Sequence, residues 1–392
     1  MVRSQFPWRS RFAVTGLVIL SLLTVVFCAS SCGTPSFSSE TVNKIDGIVT
    51  GVMKDHKVPG AIVGVWEEGK GEYVKAYGEA DMSKGRKMTT TDLFKAASNT
   101  KTITGTLILE LVDQGKLSLD DTLSKFDFAR GVKNADKITI RMLLNHTSGL
   151  ADPSNESEAM KAVVGEDPKH EFTVEEVMTF GSRMPVLSEP GTKYHYSNWN
   201  FYMLGHIVEL VTGKKLAAQM QAEFFDKLGM PNTRLDPQAS FLLAHPHSNG
   251  YIWDPSGKYI EATDWSTSWT WAAGSVVTDI SDFKKWVEAV ANGTFLTPEM
   301  RKERLANGAD AGSGSQYLLG VKKTGNVYNH SGAVAGYSSY GGSDPDRKLT
   351  VCVFMNAMPA ADSEGRMEWM YGAPEMTANE IFKAMGESLP GQ

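Results

Sequence analysis

Strand-type sequence lies at the two ends of this chain and is sparse between them, and that spacing most restricts the fold. At the front, Val63, Val65, Tyr73, Val74 and Tyr77 surround the turn residues Glu68-Gly69-Lys70-Gly71, which is a hairpin pattern. At the back, Tyr317–Val321, Val327–Asn329, Val334–Tyr340 and Leu349–Phe354 carry β-branched and aromatic residues, with Gly, Asn and Asp in the turns. The middle reads as helix and loop. Ile103, Leu107, Ile108, Leu111 and Val112 keep helical spacing up to Gly115, and Ile138–Leu144, Val174–Phe180 and Phe201–Val211 follow, the last closed by Gly213. Two further helices, Asp279–Ala291 and one near Thr377–Met385, sit among the late strands. The simplest closure is α+β: an antiparallel sheet flanked by helices, built from both chain ends, with an inserted, mostly helical domain. The expected boundaries are 43–104 with 251–392 for the sheet domain and 105–250 for the helical one.

The N-terminus differs in kind. Arg3, Arg9 and Arg11 precede an apolar run from Ala13 to Ala29, and no charge appears between Phe12 and Ser39. A basic stretch, an apolar stretch and small residues at its end describe an export signal over residues 1–31, followed by a tether over 32–42. Ala29-Ser30-Ser31-Cys32 suits lipid attachment at Cys32 or plain cleavage after Ser31. Either route places the protein outside the cytoplasm, in the cell envelope or secreted. Of three cysteines, Cys28 leaves with the signal and Cys352 reads as a buried strand residue, so no disulfide framework is expected. Removing the three arginines makes the net charge more negative than −6. With no basic stripe, a nucleic-acid partner is not expected.

Three short patterns carry chemistry. Ser98-Asn99-Thr100-Lys101 puts a hydroxyl and an amine three residues apart at a helix start, on one face. A serine is a poor nucleophile unless a base takes its proton, and a lysine serves only if its pKa falls from about 10.4. Tyr196-Ser197-Asn198 supplies a phenol and an amide before the next long helix. His330-Ser331-Gly332 lies between Val327-Tyr328-Asn329 and the strand expected over Val334–Tyr340. Its glycine suits close approach of a ligand or another backbone. Decoys accompany these patterns. Ser281-Asp282-Phe283-Lys284 repeats the first spacing, but it opens an amphipathic helix and reads as capping. Lys323-Thr324-Gly325 lies at a hairpin turn, with Lys323 expected in solvent. His146 reads as structural. His245 and His247 have ligand-like spacing but lack a third ligand, so neither a metal nor a cofactor is expected. Trp265, Trp269 and Trp271 fit either a cleft wall or the core.

Taken in order, Ser98-x-x-Lys101, Tyr196-x-Asn198 and His330-x-Gly332 resemble the penicillin-recognising serine hydrolases, the class C β-lactamase and D-alanyl-D-alanine carboxypeptidase family. Leu143–Leu150, Pro190-Gly191-x-x-Tyr194, Tyr202-x-Leu204-Gly205 and Ala273–Thr278 are similar to further landmarks of that family, and the likeness runs from about Asn43 to Met385. The resemblance implies a β-lactamase/transpeptidase-like fold, Ser98 as acylated nucleophile, and Lys101 and Tyr196 sharing base and acid duties. It places Asn198 on the substrate's acyl-side amide, the N–H groups of Ser98 and Ala333 in an oxyanion hole, His330 as a catalytic residue completing the polar network near Tyr196, Ser331 facing the leaving group or its carboxylate, and Gly332 among the substrate-binding residues. His-x-Gly in place of Lys-Thr-Gly resembles the carboxypeptidase branch. That branch needs a cation for a terminal carboxylate, and Lys322 is the candidate. The expected partner is a small-molecule or peptide substrate: a D-alanyl peptide, an ester or a β-lactam. An esterase or D-amino-acid amidase on the same machinery, a β-lactamase, and a non-catalytic β-lactam sensor are the alternatives.

Overall fold

Lys70 donates to the Glu67 carbonyl and Gly69 takes a φ of +76°, turning the chain between β1 (Gly60–Glu67) and β2 (Gly71–Asp81). The computed structural model describes residues 36–253, 256–306, 308–359, 372–387 and 389; the segment expected to be an export signal and Cys32 lie outside them. With β3 (Arg86–Lys87) the hairpin forms one side of a nine-stranded sheet. The other six strands come from the late chain: β4 (Ala309–Gly312), β5 (Ser315–Tyr317), β6 (Lys322–Thr324), β7 (Val327–Val334), β8 (Tyr337–Asp344) and β9 (Leu349–Met355). The order is β3-β2-β1-β9-β8-β7-β6-β5-β4, every pair antiparallel, and β1 meets β9 with Val63 opposite Val353. The sheet is thus closed from both chain ends.

Helices cover both of its faces, so strand β9 is buried throughout, and apolar but for Thr350, instead of alternating. Val351, Val353 and Met355 pack with Ile45 and Val49 of α1 (Ser39–Asp55) and Ile381 and Phe382 of the final helix. Cys352 and Phe354 pack on the opposite side with Phe94, Ile280 and Phe283. Cys352 is buried and unpaired, as its strand setting implied. Helix α1 corrects the expected tether: Ser36 bridges Glu72 and Ser38 caps α1, because Ile45 and Val49 need apolar partners on the sheet.

The helical middle builds its own core around α2 (Thr100–Asp113), α3 (Ile140–Leu144), α4 (Val174–Arg183) and α5 (Asn198–Thr212). Gly213, at φ +66°, ends α5 as its sequence position implied. Later come α6 (Ile280–Asn292) and α7 (Gly372–Ala384). Among the described residues, no helix is long and apolar enough to cross a membrane. Two late elements differ from expectation. Leu318–Val321 leaves the sheet after Tyr317, with Gly320 at φ +79°, and His330-Ser331-Gly332 lies inside β7, not ahead of a strand. The expected strand Val334–Tyr340 is interrupted by a turn at Gly336, with Val334 ending β7 and Tyr337–Tyr340 opening β8.

Candidate active site

Ser98 occupies a single 3-10 turn, Ala97–Asn99, that runs directly into α2. Ala97 before it holds φ +51°, a left-handed conformation costing about 1–2 kcal/mol for a residue with a Cβ. Surrounding bonds hold that conformation. The Ala96 N–H donates to Val276 O at 2.7 Å, and Ser339 Oγ donates to Ala96 O at 2.7 Å. Strand β7 presses on the same turn at Gly332. A Cβ there would lie 2.7 Å from Ala96 O and 2.8 Å from Ser98 N, so the glycine of the third pattern is a packing requirement. Ala333 follows it at the edge of the same contact.

Lys101 Nζ is wholly buried and has three partners. It lies 3.0 Å from Ser98 Oγ, 2.6 Å from Asn198 Oδ1 and 2.9 Å from Ala273 O. An unmatched buried ammonium costs several kcal/mol, and the three oxygens offset that only in part. Burial pushes Lys101 down to about 7, against the opposing pull of Asp152. The Tyr196 ring lies beside the same nitrogen, 4.8 Å from ring centre to Nζ.

Asn198 is fixed from behind by Asp152, which sequence reasoning missed. Both Asn198 N and Asn198 Nδ2 donate to Asp152 Oδ2, at 3.0 and 2.9 Å, and Nδ2 also donates to Ser154 Oγ at 3.0 Å. Only the amide orientation with Oδ1 toward Lys101 satisfies both neighbours. Burial pushes the Asp152 carboxyl up, while hydrogen bonds from Asn198 and Ser154 and the charge of Lys101 pull it back. Its one sequence signal is Asp152-Pro153, a helix start, and Asp152 does cap Ser154 N. With both amide hydrogens engaged, Asn198 anchors the lysine here instead of offering a free donor to a substrate.

His146 is structural, as expected. Its Nδ1 accepts from Ser197 N and Asn200 Nδ2, both at 3.2 Å, holding the chain that carries Tyr196 and Asn198 into α5. His330 is buried and bonds to Tyr317 Oη at 2.9 Å and to its neighbour Ser331 O at 2.5 Å. A carbonyl only accepts, so Nδ1 carries the proton and Nε2 accepts from Tyr317. Burial pushes His330 down to about 3, and Lys101 adds to that, so the ring is neutral. The network at His330 therefore runs through Tyr317, a residue the sequence patterns did not single out; the His330 and Tyr196 ring centres stand 6.4 Å apart.

A cavity of about 410 Å³ opens on this cluster, with Tyr196, His330, Ser331, Lys322 and Glu375 among its walls. Lys322 lies in it but is not free: its Nζ pairs with Glu375 of α7 at 2.5 Å. The candidate cation for a substrate carboxylate thus lies in the cavity already paired with an acid. Sequence offered no sign of this partner, which arrives from the last helix.

The decoys take ordinary places. Ser281 is exposed in the first turn of α6, whose cap is Asp279, and Lys284 pairs with Glu288 at 3.3 Å. Lys323 is a half-buried strand residue of β6 over the Tyr328 ring, not a solvated turn residue, because the hairpin turn begins only at Gly325. His245 and His247 each bond to a local carbonyl, Phe241 O and His245 O. Trp269 and Trp271 pack against the helical core.

Residues 45–370 match the family model described as Beta-lactamase. Among characterised sequences, Protein flp of Staphylococcus aureus (strain MW2) is 24% identical over 340 residues, covering 81% of this chain and 64% of that protein. The chain therefore spans less than two thirds of that relative's length. Unguisins hydrolase ungD of Aspergillus violaceofuscus is 26% identical over 257 residues, covering 61% of this chain and 43% of that protein. Among solved structures, D-amino acid amidase from Ochrobactrum anthropi SV3 superposes with a TM-score of 0.77 at 24% identity, covering 89% of this chain and 99% of that one. D-stereospecific amidohydrolase from Streptomyces sp. gives 0.73 at 22% identity, covering 88% and 98%. A penicillin-binding protein homologue from Pyrococcus abyssi gives 0.72 at 22% identity, covering 88% and 78%. These likenesses establish the fold.

Proposed function

The chain belongs to the Beta-lactamase family, and on that footing we propose that it hydrolyses amides or esters of small D-amino-acid-type substrates through an acyl-enzyme on Ser98. The set of oxygens around Lys101 Nζ carries this reading. Asn198 Oδ1 and Ala273 O can only accept, so a neutral amine directs its two N–H groups to them. Its lone pair then faces Ser98 Oγ, 3.0 Å away. Lowered to about 7, Lys101 is neutral in a useful fraction of molecules near neutral pH.

In the proposed cycle Lys101 takes the Ser98 proton as Oγ bonds to the substrate carbonyl carbon. The N–H groups of Ser98 and Ala333 stabilise the oxyanion. The proton passes by Tyr196 to the leaving nitrogen or oxygen, whose bond to carbon breaks. Water then adds to the acyl-enzyme, giving one proton back to Ser98 and releasing the acid. His330, neutral and held by Tyr317, shapes the wall beside Tyr196 and does not itself relay a proton.

The likeness to a D-amino acid amidase and a D-stereospecific amidohydrolase supports the amide reading. A D-alanyl-D-alanine carboxypeptidase is the second reading, favoured by His330-Ser331-Gly332 in place of a lysine-led box. We also propose export, from Arg3, Arg9, Arg11 and the apolar run behind them, with Cys32 as the lipid site. Cell fractionation of wild type and Cys32→Ala tests that part. For the activity, protein is incubated with a nitrophenyl ester, a D-amino-acid amide, a D-Ala-D-Ala peptide and fluorescent penicillin, and Ser98 is examined by mass spectrometry. Turnover with a Ser98 adduct is the expected result. Stable penicillin labelling without turnover of any substrate would instead make the protein a sensor.

A further inference from the structure

The cavity holds Tyr196, the group placed to hand a proton to the departing atom, together with His330 and Ser331, whereas Asn198 is turned away toward Asp152 and Ser154. It therefore receives the leaving group. Its wall includes one ammonium, Lys322, and one carboxylate, Glu375. The two are joined at 2.5 Å, with side chains only 20% and 27% exposed, so solvent screens the pair incompletely. Glu375 lies in the first turn of α7, where the helix dipole favours an anion. A lone lysine here would receive a carboxylate strongly; one already neutralised at contact distance offers an incoming carboxylate repulsion from Glu375 as well as attraction.

We propose that Glu375 is a specificity-determining residue: by pairing with Lys322 it makes the leaving-group pocket electrically neutral, so the enzyme favours amides and esters with uncharged leaving groups over peptides ending in a carboxylate. This rests on the acyl-enzyme reading of Ser98 and decides between its amidase and carboxypeptidase forms.

The test compares two substrates sharing one D-alanyl acyl group, the primary amide and the dipeptide ending in D-alanine, and reads the ratio of their kcat/KM values. Glu375→Gln releases Lys322, and the dipeptide-to-amide ratio rises by roughly tenfold or more, the scale of one charge-assisted hydrogen bond. Adding Lys322→Met removes that gain. Glu375→Ala serves as a second variant should the glutamine form fail to fold. A ratio within twofold of wild type in the single variants overturns the proposal. So does a fall in amide turnover with dipeptide turnover unchanged, because the ratio would then rise without any gain for the carboxylate. A fluorophosphonate probe reports Ser98 in parallel. Absence of labelling in wild type counts against the acyl-enzyme itself, whereas labelling with an unmoved ratio counts against Glu375 alone.

Discussion

Asn198 and Asp152 are joined twice, with the backbone N–H and the side-chain Nδ2 of Asn198 both donating to Asp152 Oδ2, at 3.0 and 2.9 Å. This clamp fixes which atom of the amide faces Lys101. Asp152→Ala leaves two buried N–H groups without their acceptor, at about 1–3 kcal/mol each. It also frees Lys101 to drift from Ser98, and displacement of a reacting group by about 1 Å costs about 10²-fold in rate. We expect kcat to fall by one to two orders of magnitude with KM changed less. Asp152→Asn separates charge from packing. Losing the negative charge lowers the Lys101 pKa further, so the acid limb of its pH–rate profile moves to lower pH. A purely structural role for Asp152 would leave that limb in place.

The wild-type pH profile follows from the same lysine. Catalysis needs Lys101 neutral, and burial holds it at about 7, so kcat/KM rises with pH through that region and levels above it. Stability follows the same sign. The unfolded chain binds the lysine proton up to about 10.4, so between about 7 and 10.4 it holds more protons than the native state. The penalty for burying Lys101 is full below 7 and fades as pH rises toward 10.4. His330, lowered to about 3, adds a loss of stability as pH falls from about 6.5 toward 3. Denaturant midpoints at pH 4, 7 and 9 should rise in that order where these groups dominate, and Lys101→Met should flatten the upper part.

Periodicity made the hairpin and the long helices legible because it is local: Gly115 and Gly213 stand where the helical patterns stop. The spacing of Val42, Ile45, Val49 and Val52 also carries α1, and it went unread beside the signal-like segment before it. The three chemical patterns could be found in sequence, and the fold gathers them around Lys101. The strand setting of the third, His330-Ser331-Gly332, could not be found so easily. Gly332 and Ala333 have weak strand preference, and the sheet imposes it through Ser338 and Ser339 opposite them. Asp152, Tyr317 and Glu375 were hidden for another reason. Each reads locally as a cap, a strand aromatic or a first-turn acid, and acquires its role from a partner distant in sequence or brought in by another strand.

Gly332 gives a steric prediction. Adding one methyl group at this position places carbon 2.7 Å from Ala96 O and 2.8 Å from Ser98 N, both backbone atoms that cannot rotate aside. The turn carrying Ser98 must move, at a cost of about 1–3 kcal/mol for overpacking. We expect Gly332→Ala to fold with a lowered melting temperature and to lose at least 10²-fold in acylation rate, since both Ser98 and the proposed oxyanion donors shift. Near-wild-type labelling by a fluorophosphonate would show that strand and turn are not tightly coupled.

The two serine–lysine spacings give the last and simplest contrast. Ser98 and Lys101 share a buried helix start within 3.0 Å of each other, whereas Ser281 is exposed and Lys284 turns to Glu288. Ser98→Ala should abolish covalent labelling, and Ser281→Ala should leave it intact. The two candidate third boxes separate in the same way. Lys323 lies over Tyr328, while His330 is buried against Tyr317 beside Tyr196. Lys323→Ala should therefore change kcat/KM less than about threefold, and His330→Ala should lower it by about tenfold or more, the scale of disturbing a proton-transfer group's surroundings. A severe Lys323 defect with a mild His330 defect would move the third box to the hairpin and leave the strand contact at Gly332 without a chemical purpose.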